Sequence, residues 1–202
     1  MFKVVLVMLV SYLLGSIPFG LLISKMVKGQ DIRKYGSGNI GATNAFRLMG
    51  LKMGALVALL DISKGVLAVK LADIVLGDQI ILLLLAGLFS VAGHNLSIFL
   101  GFSGGRGVAT SVGVLGTLAP VVVVIVFLVW LSIVLLTKYV SLGSIIGSAL
   151  IPVLMLWFNK DTALVIFSFL IAAFVIYSHR PNIKRLLAGE ENKVGMEQNS
   201  NE

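Results

Sequence analysis

The sequence predicts an all-α fold: a polytopic integral membrane helix bundle of about seven transmembrane helices, N-terminus outside and C-terminus inside. Three observations predict it. Of the 202 residues 58% are hydrophobic and only 12% charged, with a mean hydropathy of +1.04. Soluble domains average roughly 45–50% apolar and about 25% charged residues, so one water-exposed core could not hide this much apolar surface. Apolar stretches cover residues 2–24, 53–76, 79–98 and, almost unbroken, 108–178, without the strict alternation of a strand. Within lipid, helices are then the way to satisfy the backbone.

Residues 2–24 carry only Lys3 before the apolar run and no small-x-small cleavage site after it, so they read as a retained span, not a signal peptide. The block 108–178 has breaks near Thr117–Pro120, at Thr137–Tyr139 and at Asn159–Asp161. Charge decides how many spans it holds. With three, Lys/Arg would split eight inside to six outside. With four, the fourth overall being short and breaking near Pro120, the inner side collects twelve: Lys25, Lys28, Arg33, Lys34, Arg47, Lys52, Arg106, Lys138, Arg180, Lys184, Arg185 and Lys193. Only Lys3 and Lys160 stay outside, which fits the positive-inside rule. Residues 1–193 form one transmembrane catalytic domain in this reading, and 194–202 a polar, disordered tail. The net charge of +7 suits phosphorylated substrates, anionic lipid or nucleic acid; loop orientation accounts for most of it, and nucleic acid is not expected as a partner.

On α-helical spacing, Asp61/Lys64 and Lys70/Asp73 are expected to form i, i+3 ion pairs facing the bundle, because charges within a span are costly unless paired. His94 reads as a hydrogen-bonded structural histidine. Zero cysteines exclude disulfides, thiolate metal sites and a cysteine nucleophile. No metal or cofactor is expected, since Asp31 is the sole carboxylate in the two inner glycine-rich loops.

Three segments share the inner face. In Tyr35–Arg47, Gly36, Gly38 and Gly41 match G-x-G-x-x-G, but no strand precedes them, so the dinucleotide reading fails. A helix over 40–49 would align Asn39, Thr43 and Arg47 in one stripe, able to hold a phosphate at the helix start; a capped loop with a solvated arginine is the bland alternative. In Gly101–Thr110, four glycines around Arg106 describe an anion nest or a flexible turn. Gly101, Ser103 and Gly105 also match G-x-S-x-G without the strand–turn–helix context, which leaves an intramembrane serine protease using Ser103 as an alternative. A small anion transporter is a second alternative. The third segment, His179–Lys193, has Pro181 in the first turn of a new helix with Ile183, Leu186 and Leu187 along one edge; an interfacial anchor explains these but not His179 and Asn182 together.

Taken in order, Gly36–Asn44 with Arg47, Gly104–Thr110, Lys138–Ser144, and His179-x-x-Asn182 with Gly189 and Glu191 resemble the acyl-phosphate-dependent glycerol-3-phosphate acyltransferases of bacterial membranes. The similarity spans nearly the whole chain and fades after Lys193. Arg106 stands where that family normally carries lysine, and the H-x-x-x-x-D of acyl-CoA acyltransferases is absent after both His94 and His179. The resemblance implies transfer of a fatty acyl group from acyl phosphate to the 1-hydroxyl of glycerol 3-phosphate, giving lysophosphatidic acid and phosphate. It implies that Ser37, Arg47 and Arg106 bind phosphate, while His179 and Asn182 position glycerol 3-phosphate. Gly38, Asn39, Thr43, Asn44, Gly104, Gly105 and Ser144 are the further expected substrate contacts. The expected setting is a monomer in the bacterial inner membrane with its active site on the cytoplasmic face.

Overall fold

The computed structural model describes residues 1–194, and these are all helix, turn or loop. Apart from Val194, the tail expected from the sequence lies outside the described residues. Ten α-helices follow one another: α1 Phe2–Ser16, α2 Phe19–Lys28, α3 Ala42–Met49, α4 Leu51–Leu76, α5 Ile80–Asn95, α6 Val108–Leu118, α7 Pro120–Thr137, α8 Val140–Trp157, α9 Thr162–Ser178 and α10 Arg180–Leu187. The breaks expected at Thr117–Pro120, Thr137–Tyr139 and Asn159–Asp161 fall between α6 and α7, α7 and α8, and α8 and α9.

Among the described residues, four segments are long and apolar enough to cross a membrane: Phe2–Lys28, Ile80–Leu100, Pro120–Thr137 and Val140–Trp157. The pair α9 and α10, bent by 57°, supplies a fifth. Helix α4 has 26 residues, about 39 Å at 1.5 Å per residue, but carries two acid–base pairs. Helix α6 has only 11 residues.

Close packing rests on missing side chains. Helix α1 lies along α5, where a Cβ on Gly15 would strike the carbonyl of Ser90 and one on Gly93 the carbonyl of Tyr12. Helix α4 meets α6 in the same way through Gly65 and Gly113. Small residues let backbones approach where lipid offers no hydrophobic drive between helices. Of α7 only Val122 is fully buried; the helix packs against α8 on one side and leaves its other side exposed.

The first span is not one continuous helix. Pro18 lacks an N–H, so α1 stops at Ser16 and carbonyls are left over at the break. Ser97 Oγ donates to Ser16 O at 2.6 Å and Lys64 Nζ to Ile17 O at 3.0 Å. Lys64 also lies 2.9 Å from Asp61 and both are about 2% exposed, so the expected inward ion pair forms here. The second pair departs from expectation. Lys70 and Asp73 are 3.8 Å apart with side chains 57% and 39% exposed, because their turn of α4 faces outward.

Candidate functional site

Four segments far apart in sequence meet at one end of the bundle: the loop 29–41 with α3, the loop 96–107, the turn 138–139, and residues 179–194. They are tied directly. Arg47 Nη2 donates to Asn192 O at 3.1 Å, Asn95 Nδ2 to Ser178 Oγ at 2.9 Å, and Val194 N to Lys138 O at 2.9 Å. A second small core of Leu21, Ile23, Ile32, Ile40, Ala45 and Val57 seats α3 on α4 and so fixes where Arg47 projects.

A cavity of about 490 Å³ opens at this end. Its polar mouth is lined by Ser37, Asn39, Thr43, Asn44, Arg47, Arg106, Ser141, Ser144, His179, Asn182 and Glu191. From there it runs between α6, α7, α8 and α9 past Leu115, Val124, Val126, Phe127, Trp130, Gly147, Ile151 and Ile171. The hydroxyls of Ser144 and Ser148 donate to Val140 O and Ser144 O of their own helix, so the α8 wall is mostly apolar toward the cavity; Ser111 of α6 also lines it.

Glu191 centres the mouth. Its carboxylate accepts from Ser141 Oγ at 2.8 Å, Asn182 Nδ2 at 2.6 Å and Arg185 Nε at 2.7 Å. Burial opposes its ionisation, yet these donors together hold it below the usual carboxylate range. Burial lowers the pKa of Arg47, and pushes Arg106 down to about 10, each partly offset by Glu191. Both stay cationic at neutral pH. Three guanidiniums thus face one carboxylate, and Arg185 retains a buried Nη2 without a hydrogen-bond partner among the described residues. Such a mouth is short of negative charge.

His179 ends α9 and is 2% exposed. Its Nδ1 lies 2.8 Å from Val175 O; a carbonyl can only accept, so Nδ1 carries the proton and Nε2 keeps its lone pair. Burial first, and then the Arg106 charge, push its pKa down to about 4. Asn182, in the first turn of α10 after Pro181, spends its amide donor on Glu191. Its buried Oδ1 has no hydrogen-bond partner among the described residues. The mouth therefore pairs cationic donors with two neutral acceptors.

Several expectations are corrected. Helix α3 begins at Ala42 and not at residue 40, so Asn39 is off the helix and its Oδ1 caps Gly41 N at 2.7 Å; only Thr43 and Arg47 share the stripe. Asn44 is spent on folding its loop: its amide nitrogen lies within hydrogen-bond reach of Ile32 O, Tyr35 O and Asn39 O, and its Oδ1 accepts from Ser37 N. The Gly38 amide donates to Tyr35 O and the Gly105 amide to His94 O, so neither is open to an anion. Gly38, Gly104 and Gly105 do not line the cavity; the last two lie against the end of α5. Ser103 is exposed and outside the cavity lining. Glu191 and Ser141 lie within the motifs that carry the family resemblance, but nothing in the sequence assigns them a role. Membership of those motifs is their only sequence signal, and the contact between them appears on folding.

Comparison with known proteins completes the picture. A family model described as glycerol-3-phosphate acyltransferase matches residues 5–189. The chain is 49% identical over 190 residues to "Glycerol-3-phosphate acyltransferase 2" of Moorella thermoacetica, covering 94% of this chain and 97% of that protein. It is 46% identical over 196 residues to the glycerol-3-phosphate acyltransferase of Carboxydothermus hydrogenoformans, covering 97% and 99%. Its fold resembles the crystal structure of PlsY, an integral membrane glycerol 3-phosphate acyltransferase, in the glycerol 3-phosphate form. That likeness has a TM-score of 0.90 at 42% identity, over 95% of this chain and 96% of the other. The lysophosphatidic acid form of PlsY matches with a TM-score of 0.86 at 40% identity.

Proposed function

This chain belongs to the glycerol-3-phosphate acyltransferase family, and from that premise we propose that it acylates the 1-hydroxyl of glycerol 3-phosphate with a fatty acyl phosphate as donor. The observation that carries the reading is the join of two environments in one cavity: a mouth lined by Arg47 and Arg106, whose single carboxylate Glu191 is already paired with Arg185, and an apolar slot behind it. A phosphate fits the first and an acyl chain the second.

Arg47, Arg106 and Ser37 take the phosphate groups. His179 Nε2 and Asn182 Oδ1 are acceptors placed to receive glycerol hydroxyls and so to orient the nucleophile. The hydroxyl oxygen attacks the acyl carbonyl carbon, a new ester C–O bond forms, and the bond to the phosphate oxygen breaks. Inorganic phosphate departs with the electron pair, its charge met by the arginines. The hydroxyl proton passes to His179 Nε2, which is neutral and able to accept it, or to an oxygen of the departing phosphate. An acyl phosphate is a mixed anhydride with a good leaving group, so a strong general acid is not required.

The protein acts as a seven-span monomer of the inner membrane, with α1 and α2 as one span and α6 as the short fourth. A mouth on the cytoplasmic side is supported by the positive-inside rule, since the loops that carry Arg47, Arg106 and Arg180 hold most of the Lys/Arg of the chain. Since the chain has no cysteine, Lys138→Cys labelled only from the cytoplasmic side tests the orientation. The donor is tested by incubating purified protein with labelled glycerol 3-phosphate and either palmitoyl phosphate or palmitoyl-CoA. Lysophosphatidic acid and one equivalent of phosphate are expected with the first alone; equal turnover of the thioester overturns the donor assignment.

A further inference from the structure

Beyond the groups assigned above, α4 and α5 bring three ionisable side chains together beneath the mouth. Asp61, Lys64 and His94 are 2%, 2% and 4% exposed, and Asp61 and His94 form part of the cavity wall. Lys64 is accounted for by its ion pair with Asp61 and its bond to Ile17 O. His94 is not. Its Nδ1 faces Asp61 Oδ1 at 3.6 Å, an electrostatic contact longer than a hydrogen bond.

The rest of His94 supports the loop that carries Arg106. Its carbonyl accepts from Gly105 N at 2.9 Å. Its ring lies against the Gly105 Cα so closely that a Cβ there would collide with Nε2 and stand 2.8 Å from Cδ2 and Cε1. Gly104 rests on the carbonyls of His94 and Asn95, and a Cβ on Gly107 would meet Asn95 Oδ1 at 2.6 Å. Asn95 in turn donates to Ser178 Oγ, the residue before His179. The last turn of α5 therefore bears on the backbone on both sides of Arg106.

We propose that His94, held in place by the Asp61 carboxylate, is a positioning residue that sets the Arg106 guanidinium in the mouth of the cavity. The imidazole is the floor under Gly105, and Asp61 fixes that floor from behind. A loop whose glycines have no side chains to lock it takes its geometry from the surface it lies on. The inference rests on the reading of Arg106 as a phosphate ligand.

A double-mutant cycle on the full-length protein in detergent tests it, with kcat and KM for both substrates as readouts and melting temperature as the control for folding. Arg106→Gln alone, His94→Ala alone and the pair are compared. His94→Ala is expected to lower kcat/KM about tenfold, since sub-ångström misplacement of a binding group has effects of this order. In the Arg106→Gln background the same change is expected to cost less than about twofold, because its effect passes through the missing guanidinium. Multiplicative losses in the pair would overturn the proposal, since a residue that only supports the bundle keeps its effect whether Arg106 is present or not. A silent Arg106→Gln would instead remove the phosphate reading itself. Should His94→Ala not fold, His94→Gln retains the bulk and is read in the same cycle. Asp61→Asn is expected to follow His94 in showing its loss only when Arg106 is present.

Discussion

The two halves of the cavity are built by opposite means. The mouth is assembled from loops and helix ends, and its side chains are held by hydrogen bonds that reach across the sequence, from Ser141, Asn182 and Arg185 to Glu191 and from Arg47 to Asn192. The slot is made of helix faces only, and Ser144 and Ser148 of α8 turn their hydroxyls onto their own backbone. At the mouth, position and charge are both specified, so one lost group is felt whatever the acyl chain. In the slot only shape is specified, so a change there should sort substrates by length. On the proposed function, charge recognition and length recognition fall to different parts of one cavity.

The largest expected effect breaks the mouth alone. Arg106→Ala should lower kcat/KM by about 10²- to 10³-fold, the range seen when one preorganised charge stabiliser is removed. The loss should be equal for short and long acyl phosphates; a loss confined to long chains would place Arg106 in the slot. Arg106→Lys should retain more activity than Arg106→Ala while losing the planar fork. A smaller effect sharpens the other half. A Cβ on Gly147 would already sit 3.2 Å from Val126, so Gly147→Leu should fill the slot. Turnover of palmitoyl phosphate should fall about tenfold relative to a short-chain donor, a discrimination within reach of a few methylenes. Equal loss on both donors would show that the acyl chain lies elsewhere.

The smallest expected effect is a limb that stays where it is. With its pKa pushed down to about 4, His179 is neutral through pH 5–8. It therefore contributes no step near the ordinary histidine value of about 6.5. The acid limb of kcat/KM for glycerol 3-phosphate should instead follow the second ionisation of the phosphate, near pH 6. His179→Gln should lower the plateau and leave that limb unmoved; a shifted limb would mean that the imidazole titrates there. Stability has its own window. As pH falls from about 6.5 toward 4, the unfolded chain takes up a proton that folded His179 refuses. Wild-type stability should therefore decline across that interval more than that of His179→Gln, as followed by melting temperature.

Much of this was legible in the sequence, and the exceptions have physical reasons. The span breaks at Pro120, Lys138 and Asn159–Asp161 follow from local chemistry: a residue without an N–H, or charges that lipid rejects. The break at Pro18 was hidden because the residues around it are apolar on both sides, so hydropathy runs straight through it. The two acid–base pairs of α4 have the same spacing and opposite fates. One meets an unsatisfied carbonyl at Ile17 and is buried; the other finds no partner helix and stays open. Loops rich in amides and glycines resemble anion sites, but folding uses the backbone amides of Gly38 and Gly105 and much of the Asn44 side chain within the structure itself.

Composition and the positions of charges and prolines were enough, by themselves, to require a helical membrane bundle, since the cost of burying charge and unpaired backbone in lipid is a local quantity. The ordered motifs carried the family likeness as well. Which guanidiniums surround Glu191, which amides remain free, and which helices leave a slot between them were decided only by tertiary structure. Each depends on contacts between segments as far apart as Arg47 and Asn192, and spacing along the chain does not encode such distances.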